Sequence, residues 1–313
     1  MSKVFSMGEC LIDFMPLNNN SYEAKPGGAP ANVAACVAKL GGTGCYLGRV
    51  STDMFGDFLM ESMNNVNIKL DYVKRDKEHK TALAFVTLKN GERSFSFYRD
   101  NTADLNFSAE DIDSYIFEKG DILHFCSLGL SSVLSRKAHA RAVMQMEKVG
   151  GIVSFDLNMR ENLWHTRNDM LDAINGFIAY PDILKLSDDE LIIMCPNCND
   201  EKKNIEKLFS IADNCKIIIV TKGADGATAY NREMQYFSVP AISGVIVDTT
   251  GAGDSFIGAI LYKLSIGQAD LTLEGIKKAL NFAVATSTLV CRKKGAMNSM
   301  PSLKDVNELL NIQ

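Results

Sequence analysis

Short runs of apolar and β-branched residues alternate with longer amphipathic stretches along nearly the whole chain. Unbroken apolar runs are typical of strands buried on both faces, whereas apolar residues spaced three and four apart predict helices. The runs that predict strands are 4–7, 44–48, 122–125, 152–155, 183–186 and 217–221. The stretches that predict helices are 31–40, 54–64, 135–149, 188–194, 201–211, 254–264 and 273–290. This alternation indicates an α/β protein with a largely parallel central sheet.

Two regions depart from the alternation and predict a small separate β-sheet. The region from about 80 to 105 contains Asn90-Gly91, a dipeptide that favours a tight hairpin turn. The region from about 14 to 25 is polar and is bounded by short strand-like pieces. We therefore expect a single domain over 1–313, in which these two regions form a small β-sheet lid.

Composition and charge narrow the class of protein. The chain has 313 residues, of which 46% are hydrophobic and 23% are charged, as in ordinary globular proteins. Its net charge of −5 gives no electrostatic reason to expect a nucleic acid as partner. No apolar run reaches the roughly 18 residues that span a membrane, and Glu9 and Asp13 interrupt the first apolar stretch, unlike a signal peptide. We expect a cytoplasmic protein.

The eight cysteines predict neither a disulfide framework nor a metal site. They are scattered along the chain, and without a secretory signal they are expected to stay reduced. Cys195 and Cys198 form the only C-x-x-C pair, and a zinc site would need a second ligand pair. We expect this pair in a loop after a helix, and the pattern leaves its role open.

One glycine-containing segment carries the strongest functional signal. The apolar run 245–247 is followed by Gly251, Ala252, Gly253 and Asp254, which predicts a strand, a glycine turn and a helix start. Backbone N–H groups at such a helix start attract anions such as phosphate. A carboxylate there repels phosphate, but it is well placed to take a proton from a hydroxyl group that attacks one. The alternative is an aspartate that only caps the helix.

Two polar side chains near the N-terminus are candidates for binding a polar ligand. Gly27 and Gly28 precede an alanine-rich helix on which Asn32 is expected to be buried, and a buried amide needs a partner. Asp13 follows the apolar run 4–12, and a carboxylate at a strand end can accept hydrogen bonds from two neighbouring hydroxyl groups. Tight packing and a solvated turn are the structural alternatives.

Three further motifs follow predicted strands, at the edge where open α/β sheets bind ligands. The segment from Asp156 to Arg160 offers an arginine for an anionic group, and a structural ion pair is the alternative. Ser187 and Glu190 have the spacing of a capping box before a helix. The segment 221–226 predicts a tight turn between two strands.

In this order, the motifs resemble the signatures of the PfkB family of carbohydrate kinases. The resemblance extends from Gly8 to Pro301. It implies the ribokinase-like fold, a three-layer α/β/α sandwich with a mostly parallel central sheet and a small β-sheet lid. The chain lacks the G-x-x-x-x-G-K-[ST] signature, so P-loop chemistry is not expected.

The resemblance implies a role for the residues of each motif. Asp254 would be the catalytic base beside an anion hole made by Gly251, Ala252 and Gly253. The sugar would contact Asp13, Gly27, Gly28, Asn32, Phe97, Arg99 and Arg160. The ATP would contact Ser187, Thr221, Lys222, Gly223 and Gly226. Metal-linked residues would be Glu190, acting on Mg²⁺ through water, and a K⁺ site of Asp248, Thr250, Gly295 and Ser299.

Some of these roles have structural alternatives that the resemblance leaves open. Glu190 and Ser187 could form only the capping box. Phe97 and Arg99, expected on one side of a lid strand, could belong to an amphipathic edge strand. Val284 stands where many family members have an asparagine next to the nucleotide, so the base preference is not predicted.

Within the family, several strings are most similar to bacterial fructokinases, namely 81–85, 95–99, 124–127 and 185–190. They imply phosphorylation of the 6-hydroxyl group of fructose by ATP, giving fructose 6-phosphate and ADP, with Mg²⁺ and a homodimer paired through the lid. A 2-keto-3-deoxygluconate kinase and an aminoimidazole riboside or other nucleoside kinase are alternatives. A catalytically silent sugar or nucleotide sensor is the alternative outside the enzymes, and the intact Asp254 counts against it.

Overall fold

The computed structural model describes residues 1–17, 21–89, 92–196 and 198–311. The strands are β1 (Lys3–Met7), β2 (Leu11–Pro16), β3 (Tyr22–Gly27), β4 (Thr43–Ser51), β5 (Val73–Asp76), β6 (Ala82–Lys89), β7 (Glu92–Tyr98), β8 (Ile122–Cys126), β9 (Ile152–Asp156), β10 (Ile183–Ser187), β11 (Ile217–Thr221), β12 (Ala227–Asn231) and β13 (Tyr236–Val239). The helices are α1 (Ala29–Lys39), α2 (Met54–Asn65), α3 (Ala109–Ile112), α4 (Val133–Val149), α5 (Arg167–Asn175), α6 (Asp188–Met194), α7 (Glu201–Ile211), α8 (Ala252–Ser265), α9 (Leu273–Cys291) and α10 (Leu303–Asn311).

The central sheet is mostly parallel, as the sequence predicts. Within the described ranges its nine strands lie in the order β13-β12-β11-β10-β9-β8-β1-β4-β5. Pairing is parallel from β11 to β5, and only β12 and β13 add antiparallel pairs at one edge. All six predicted core strands are present, because unbroken apolar runs can bury both of their faces only in such a sheet.

Helices cover both faces of this sheet, so the predicted three-layer sandwich is confirmed. Successive side chains of a strand point to opposite faces. Ile217 of β11 therefore packs in the cluster that contains apolar residues of α1, α8 and α9. Its neighbour Ile218 packs in the cluster that contains residues of α4, α5 and α7. The sequence analysis did not predict α5 or α10.

A second, four-stranded sheet has the order β3-β2-β6-β7 and corresponds to the predicted small sheet. The chain leaves β1 at Gly8, whose φ of 140° is open mainly to glycine, and then starts β2. Asp13 consequently lies inside β2, and the prediction that it ends a core strand was wrong. Strands β6 and β7 pair antiparallel, as a hairpin would, while the turn residues 90–91 and the polar residues 18–20 lie outside the described ranges.

The predicted strand over 245–247 is not formed. The segment is irregular, and the side chains of Val245 and Ile246 are 79% and 65% exposed. The backbone N–H groups of Val247 and Asp248 donate to the carbonyl oxygen of Cys291 at the end of α9, at 2.8 and 3.2 Å. The apolar, β-branched composition was a misleading signal because a strand also needs a neighbouring strand to satisfy its backbone.

The structure also bears on membranes and on the cysteines. In the described part of the chain, no helix is long and apolar enough to cross a membrane. All eight cysteines lie in the described ranges and are unpaired thiols. Cys195 directly follows α6, in agreement with the predicted position of the C-x-x-C pair in a loop after a helix.

Helices α1 and α8 approach each other closely, and this contact generates a stability prediction. A Cβ atom built on Gly258 of α8 would lie 2.8 Å from the Cβ atom of Cys36 on α1. We expect Gly258→Ala to lower the free energy of unfolding by about 1 kcal/mol, because overpacking outweighs the better helix propensity of alanine. The measurement is the guanidinium denaturation midpoint, followed by circular dichroism.

The compensating variant Cys36→Gly is the control for this prediction. If the contact between the two Cβ atoms causes the loss, the double variant will lose less free energy of unfolding than the two single variants lose together. A Gly258→Ala protein as stable as the wild type would show that the two helices have room to separate.

Candidate active site

The N-terminus of α8 has the local geometry that the glycine motif predicts, a glycine turn followed by a helix start. Gly251 precedes the helix with a φ of 80°, and a Cβ atom built on it would lie 2.8 Å from the Cβ atom of Ala296. Among the described residues, the N–H groups of Gly253 and Asp254 meet no hydrogen-bond acceptor. The N–H group of Ala252 differs, since it donates to the Thr249 carbonyl oxygen at 3.1 Å. Two N–H groups and the helix dipole are therefore available to an anion.

Asp254 lies half-buried in the first turn of α8 and does not cap its helix. Its Oδ2 atom accepts a hydrogen bond from Asn32 Nδ2 at 2.8 Å. Burial raises the pKa of Asp254, against the lowering effects of the Asn32 hydrogen bond and of the positive charges of Lys185 and Arg160. A carboxylate with a raised pKa beside an anion site fits a general base better than it fits a structural cap.

The predicted sugar-binding residues of the N-terminal region meet on this same side of the molecule. A Cβ atom built on Gly27 would lie 2.2 Å from Asp13 Oδ2, so the carboxylate packs directly against the glycine. Gly28 has a φ of 106°, and a Cβ atom there would lie 2.5 Å from the Glu9 carbonyl oxygen. Burial, with the negative charge of Asp254, raises the pKa of Asp13 to about 6.

Asn32 links this group to the anion site. Its side chain is 4% exposed and donates to Asp254, while its Oδ1 atom has no hydrogen-bond partner in the described chain. A buried amide oxygen without a partner is rare in folded proteins and indicates a missing donor. A ligand hydroxyl group would supply that donor.

Glu9 is a buried carboxylate at this site that the sequence analysis did not assign. It is 2% exposed, and its Oε1 atom accepts from the N–H group of Ala29 at the start of α1, at 3.3 Å. Its Oε2 atom has no partner within the described ranges. Burial raises the pKa of Glu9 to about 7, in spite of the nearby charge of Arg99. The available signal was an acidic residue inside an apolar run, which we used only against a signal peptide.

Arg99 is buried and Phe97 is half-buried, so neither side chain is fully exposed for contact with a sugar. Arg99 is 8% exposed, with Nε 2.6 Å from Asp104 Oδ2 and Nη1 3.0 Å from Ser131 Oγ. Phe97 is half-buried and packs against a small cluster of apolar residues in the second sheet. Contact of either side chain with a sugar remains a prediction.

Arg160, in contrast, is exposed close to the anion site. Its Nη1 atom donates to the Met159 carbonyl oxygen at 2.7 Å, and its charge lowers the pKa of Asp254. It follows β9, at the sheet edge where the sequence predicts ligand contacts.

A cavity of about 620 Å³ begins at the anion site and has the size of a small-molecule site. Ala252 and Gly253 line it together with Thr221, Gly223 and Gly226, whose segment forms the predicted turn between β11 and β12. The loop that includes Val245 and Ile246 lines the same cavity, and so does Val284. Lys222 does not line it and is paired with Glu201 at 2.8 Å.

The residues predicted to hold a monovalent cation are joined by hydrogen bonds. Asp248 Oδ1 accepts from the N–H group and Oγ1 of Thr250 at 3.0 and 2.7 Å, and Asp248 Oδ2 accepts from the N–H group of Gly295 at 3.1 Å. Ser299 Oγ donates to the Ala296 carbonyl oxygen at 2.8 Å. Asp248, Thr250 and Gly295 also line a second cavity of about 240 Å³ that reaches Asp13. The arrangement is rich in oxygen atoms, which hard cations prefer.

Ser187 and Glu190 form the capping box that was the structural alternative for them. Glu190 Oε2 accepts from the N–H group of Ser187 at 2.8 Å, and Ser187 Oγ accepts from the N–H group of Glu190 at 3.1 Å. Glu190 Oε1 accepts from the N–H group of Met159 at 2.6 Å. Within the described ranges, no group of three or more His, Cys, Asp or Glu side chains is arranged to hold a metal ion. A Mg²⁺ ion would therefore rely on phosphate oxygens and water for most of its ligands.

Asp156 forms an ion pair, which was the structural alternative for its motif. Its partner is Lys185, a residue to which the sequence analysis gave no role. Lys185 Nζ lies 2.7 Å from Asp156 Oδ2, and both residues are buried. Burial lowers the pKa of Lys185, but the charges of Asp156 and Glu190 outweigh this effect and raise it above its usual value. The lysine therefore remains positively charged.

Comparison with known proteins agrees with this geometry. The chain matches the pfkB family carbohydrate kinase description over residues 1–303. Probable fructokinase-5 of Arabidopsis thaliana is 36% identical over 316 residues, which cover 98% of this chain and 97% of that protein.

The fructokinase from Vibrio cholerae O395, in its fructose, ADP and calcium ion bound form, superposes with a TM-score of 0.91 at 32% identity and covers 99% of both chains. The aminoimidazole riboside kinase from Salmonella enterica, complexed with aminoimidazole riboside and an ATP analog, superposes with a TM-score of 0.89 at 30% identity, again over 99% of both chains. The chain belongs to the pfkB family of carbohydrate kinases.

Proposed function

We propose that the protein transfers the γ-phosphoryl group of ATP to the 6-hydroxyl group of fructose, giving fructose 6-phosphate and ADP. The observation that carries the proposal is Asp254, which is hydrogen-bonded to Asn32 beside two open N–H groups at the edge of a nucleotide-sized cavity. The fructokinases among the relatives and solved structures support fructose as the acceptor.

The chemical step uses the residues that meet at the N-terminus of α8. Asp254 takes the proton of the 6-hydroxyl group, and the oxygen attacks the γ-phosphorus atom in line with the bond to ADP. The new oxygen–phosphorus bond forms as the bond to the ADP oxygen breaks, and ADP leaves. The N–H groups of Gly253 and Asp254 stabilise the negative charge that develops on the phosphoryl group.

ATP would occupy the cavity of about 620 Å³, with its phosphates directed to Gly253. Glu190 is proposed to act on a bound Mg²⁺ through water, since its two oxygens already accept backbone N–H groups but retain further lone pairs. The ion would neutralise phosphate charge during the transfer. The cluster around Asp248 is proposed to bind K⁺.

The surroundings of Arg99 favour a neutral sugar over an acidic one. A kinase for 2-keto-3-deoxygluconate would need a cation for the substrate carboxylate. Arg99 is already paired with Asp104 in a buried position, so of the two predicted arginines Arg160 alone is exposed. Aminoimidazole riboside is the second candidate substrate, on the strength of the structural similarity to the Salmonella enterica kinase.

Two further proposals concern the state of the protein in the cell. We propose a homodimer paired through the small sheet, supported by a cluster of Phe14, Tyr22, Phe85 and Tyr98 in which Tyr98 is 63% exposed. The eight unpaired cysteines support a reducing compartment such as the cytoplasm.

The first test of the function is a substrate panel. ADP production would be measured with ATP, Mg²⁺ and K⁺ against fructose, 2-keto-3-deoxygluconate, ribose, aminoimidazole riboside and adenosine. We expect the highest kcat/KM with fructose. A preference for the keto-deoxy acid would instead assign Arg160 to the substrate carboxylate, and no turnover with any of the five compounds would contradict the proposed activity.

The catalytic base is tested by Asp254→Asn. We expect kcat to fall by roughly 10²- to 10⁴-fold, because a general base typically contributes that much, while calorimetry shows sugar and ATP still bound. The matched control is Asp13→Asn, which should mainly raise the KM for the sugar. Near-normal turnover in Asp254→Asn would remove Asp254 from the mechanism.

The raised pKa values predict an acid limb in the rate profile. Asp254 must be ionised to take the proton of the 6-hydroxyl group, and Asp13 must be ionised to accept hydrogen bonds from the sugar. Activity is therefore lost as the pH falls through their pKa values. We expect kcat/KM to decline below about pH 6, which is the pKa of Asp13, and not near 4 as for an ordinary carboxyl group. Asp13→Asn should lose the component near pH 6. A flat wild-type profile down to pH 5, with circular dichroism unchanged, would contradict this assignment.

A further inference from the structure

Lys185 occupies an unusual position in the sheet. Its neighbours Leu184 and Leu186 on β10 pack in the cluster that contains residues of α4 and α7. Because side chains alternate along a strand, Lys185 points to the opposite face, the face on which α8 packs. Asp156 is its register partner on the adjacent strand β9, so the two side chains lie together on that face.

The ammonium group of Lys185 lies against the start of α8. A Cβ atom built on Gly253 would be 3.2 Å from Lys185 Nζ. The charge of Lys185 also lowers the pKa of Asp254, in agreement with its position beside the start of α8. The cation therefore stands beside the same N–H groups that are open to an anion.

The ion pair with Asp156 does not satisfy the ammonium group. An ammonium group has three N–H donors, and among the described residues Lys185 uses one of them, toward Asp156 Oδ2 at 2.7 Å. The side chain is 7% exposed, so bulk water is a poor source of further acceptors. A buried ion pair is also seldom more stabilising than an apolar pair of similar volume. A purely structural role explains neither the unused donors nor their position beside Gly253.

We propose that Lys185, held in place by Asp156, donates to the γ-phosphoryl group of ATP and stabilises its charge during transfer. This inference rests on the proposed phosphoryl transfer. Lys185 keeps its three protons throughout: the sugar proton goes to Asp254, the sugar oxygen binds the phosphorus atom, and the bond to the ADP oxygen breaks. Lys185 is then a catalytic residue, and Asp156 is a positioning residue that acts through it.

Two variants distinguish the loss of the proposed contact between Lys185 and the phosphoryl group from the loss of stability that follows when the ion pair is broken. Lys185→Gln alone leaves a buried carboxylate without a counter-ion, so the main variant is the neutral pair Lys185→Gln/Asp156→Asn. We expect its kcat to fall about 10²- to 10³-fold, as on removal of one donor to a developing oxyanion, with little change in the KM for sugar or ATP. Asp156→Asn alone keeps the cation but not its position, and it should lose less.

A lysine–aspartate ion pair elsewhere in the protein is the control. Lys216 and Asp182 lie 2.9 Å apart just before β11 and β10, at the ends of the strands that are opposite to the site. Lys216→Gln/Asp182→Asn removes one positive and one negative charge, as the main variant does. It should leave kcat unchanged even if it lowers the stability of the protein.

A binding measurement tests the contact without turnover. ADP affinity would be measured by calorimetry in the presence of fructose and Mg²⁺, with and without aluminium fluoride, which imitates the phosphoryl group in transfer. Aluminium fluoride should tighten ADP binding to the wild type by about a hundredfold or more. The Lys185→Gln/Asp156→Asn protein should lose most of that gain and bind ADP alone as the wild type does. If the double variant does not fold, the same comparison is made with Asp156→Asn, which should lose part of the gain.

The outcomes are distinct. Loss of kcat together with loss of the aluminium fluoride effect supports the contact. A normal kcat, or a low kcat with the full aluminium fluoride effect, overturns it. If the wild type phosphorylates none of the sugars, the proposed function fails, while the binding comparison still decides whether Lys185 contacts a phosphoryl mimic.

Discussion

The hydrogen bond from Asn32 to Asp254 is the contact on which the site depends. It joins the first turns of α1 and α8, two helices that are far apart in the chain and packed closely at Gly258 and Cys36. Because the two first turns are held together, the glycines before α1 lie near the N–H groups at the start of α8. One helix–helix contact therefore holds the predicted sugar-binding residue Asn32 against Asp254, and the small residues in that contact let the two helices approach closely.

The electrostatics of the site follow from burial. Glu9, Asp13 and Asp254 are carboxyl groups whose pKa values are raised because burial reduces the solvation of their charges. Positive charge is supplied by Lys185 and Arg160, one buried and one exposed. In the proposed reaction the carboxyl groups would meet the sugar and the cations would meet the phosphate, which is the distribution of charge that transfer to a hydroxyl group requires.

Much of the fold was predictable from local patterns. The strand over 217–221 and the helices over 188–194 and 201–211 have the predicted bounds, because an apolar run or an amphipathic stretch contains its own structural preference. The glycine motif likewise predicted the turn and the helix start of α8, since a glycine turn before a helix is a local feature. Local patterns gave a wrong prediction where the backbone of a segment is bound by a residue far away in the chain. The run 245–247 looks like a strand, but its backbone is bound to Cys291.

The sequence by itself determined the α/β class, the family and the polar residues that end β9, β10 and β11. Only the tertiary structure decided how those residues pair. Arg99 is paired with Asp104, and Glu190 accepts hydrogen bonds from backbone N–H groups. Lys185 is paired with Asp156 and, among the described residues, keeps two donors without a partner beside Gly253. The physical reason is that secondary structure depends on neighbours in the chain, whereas the partner of a buried charge depends on which strands and helices the fold brings together.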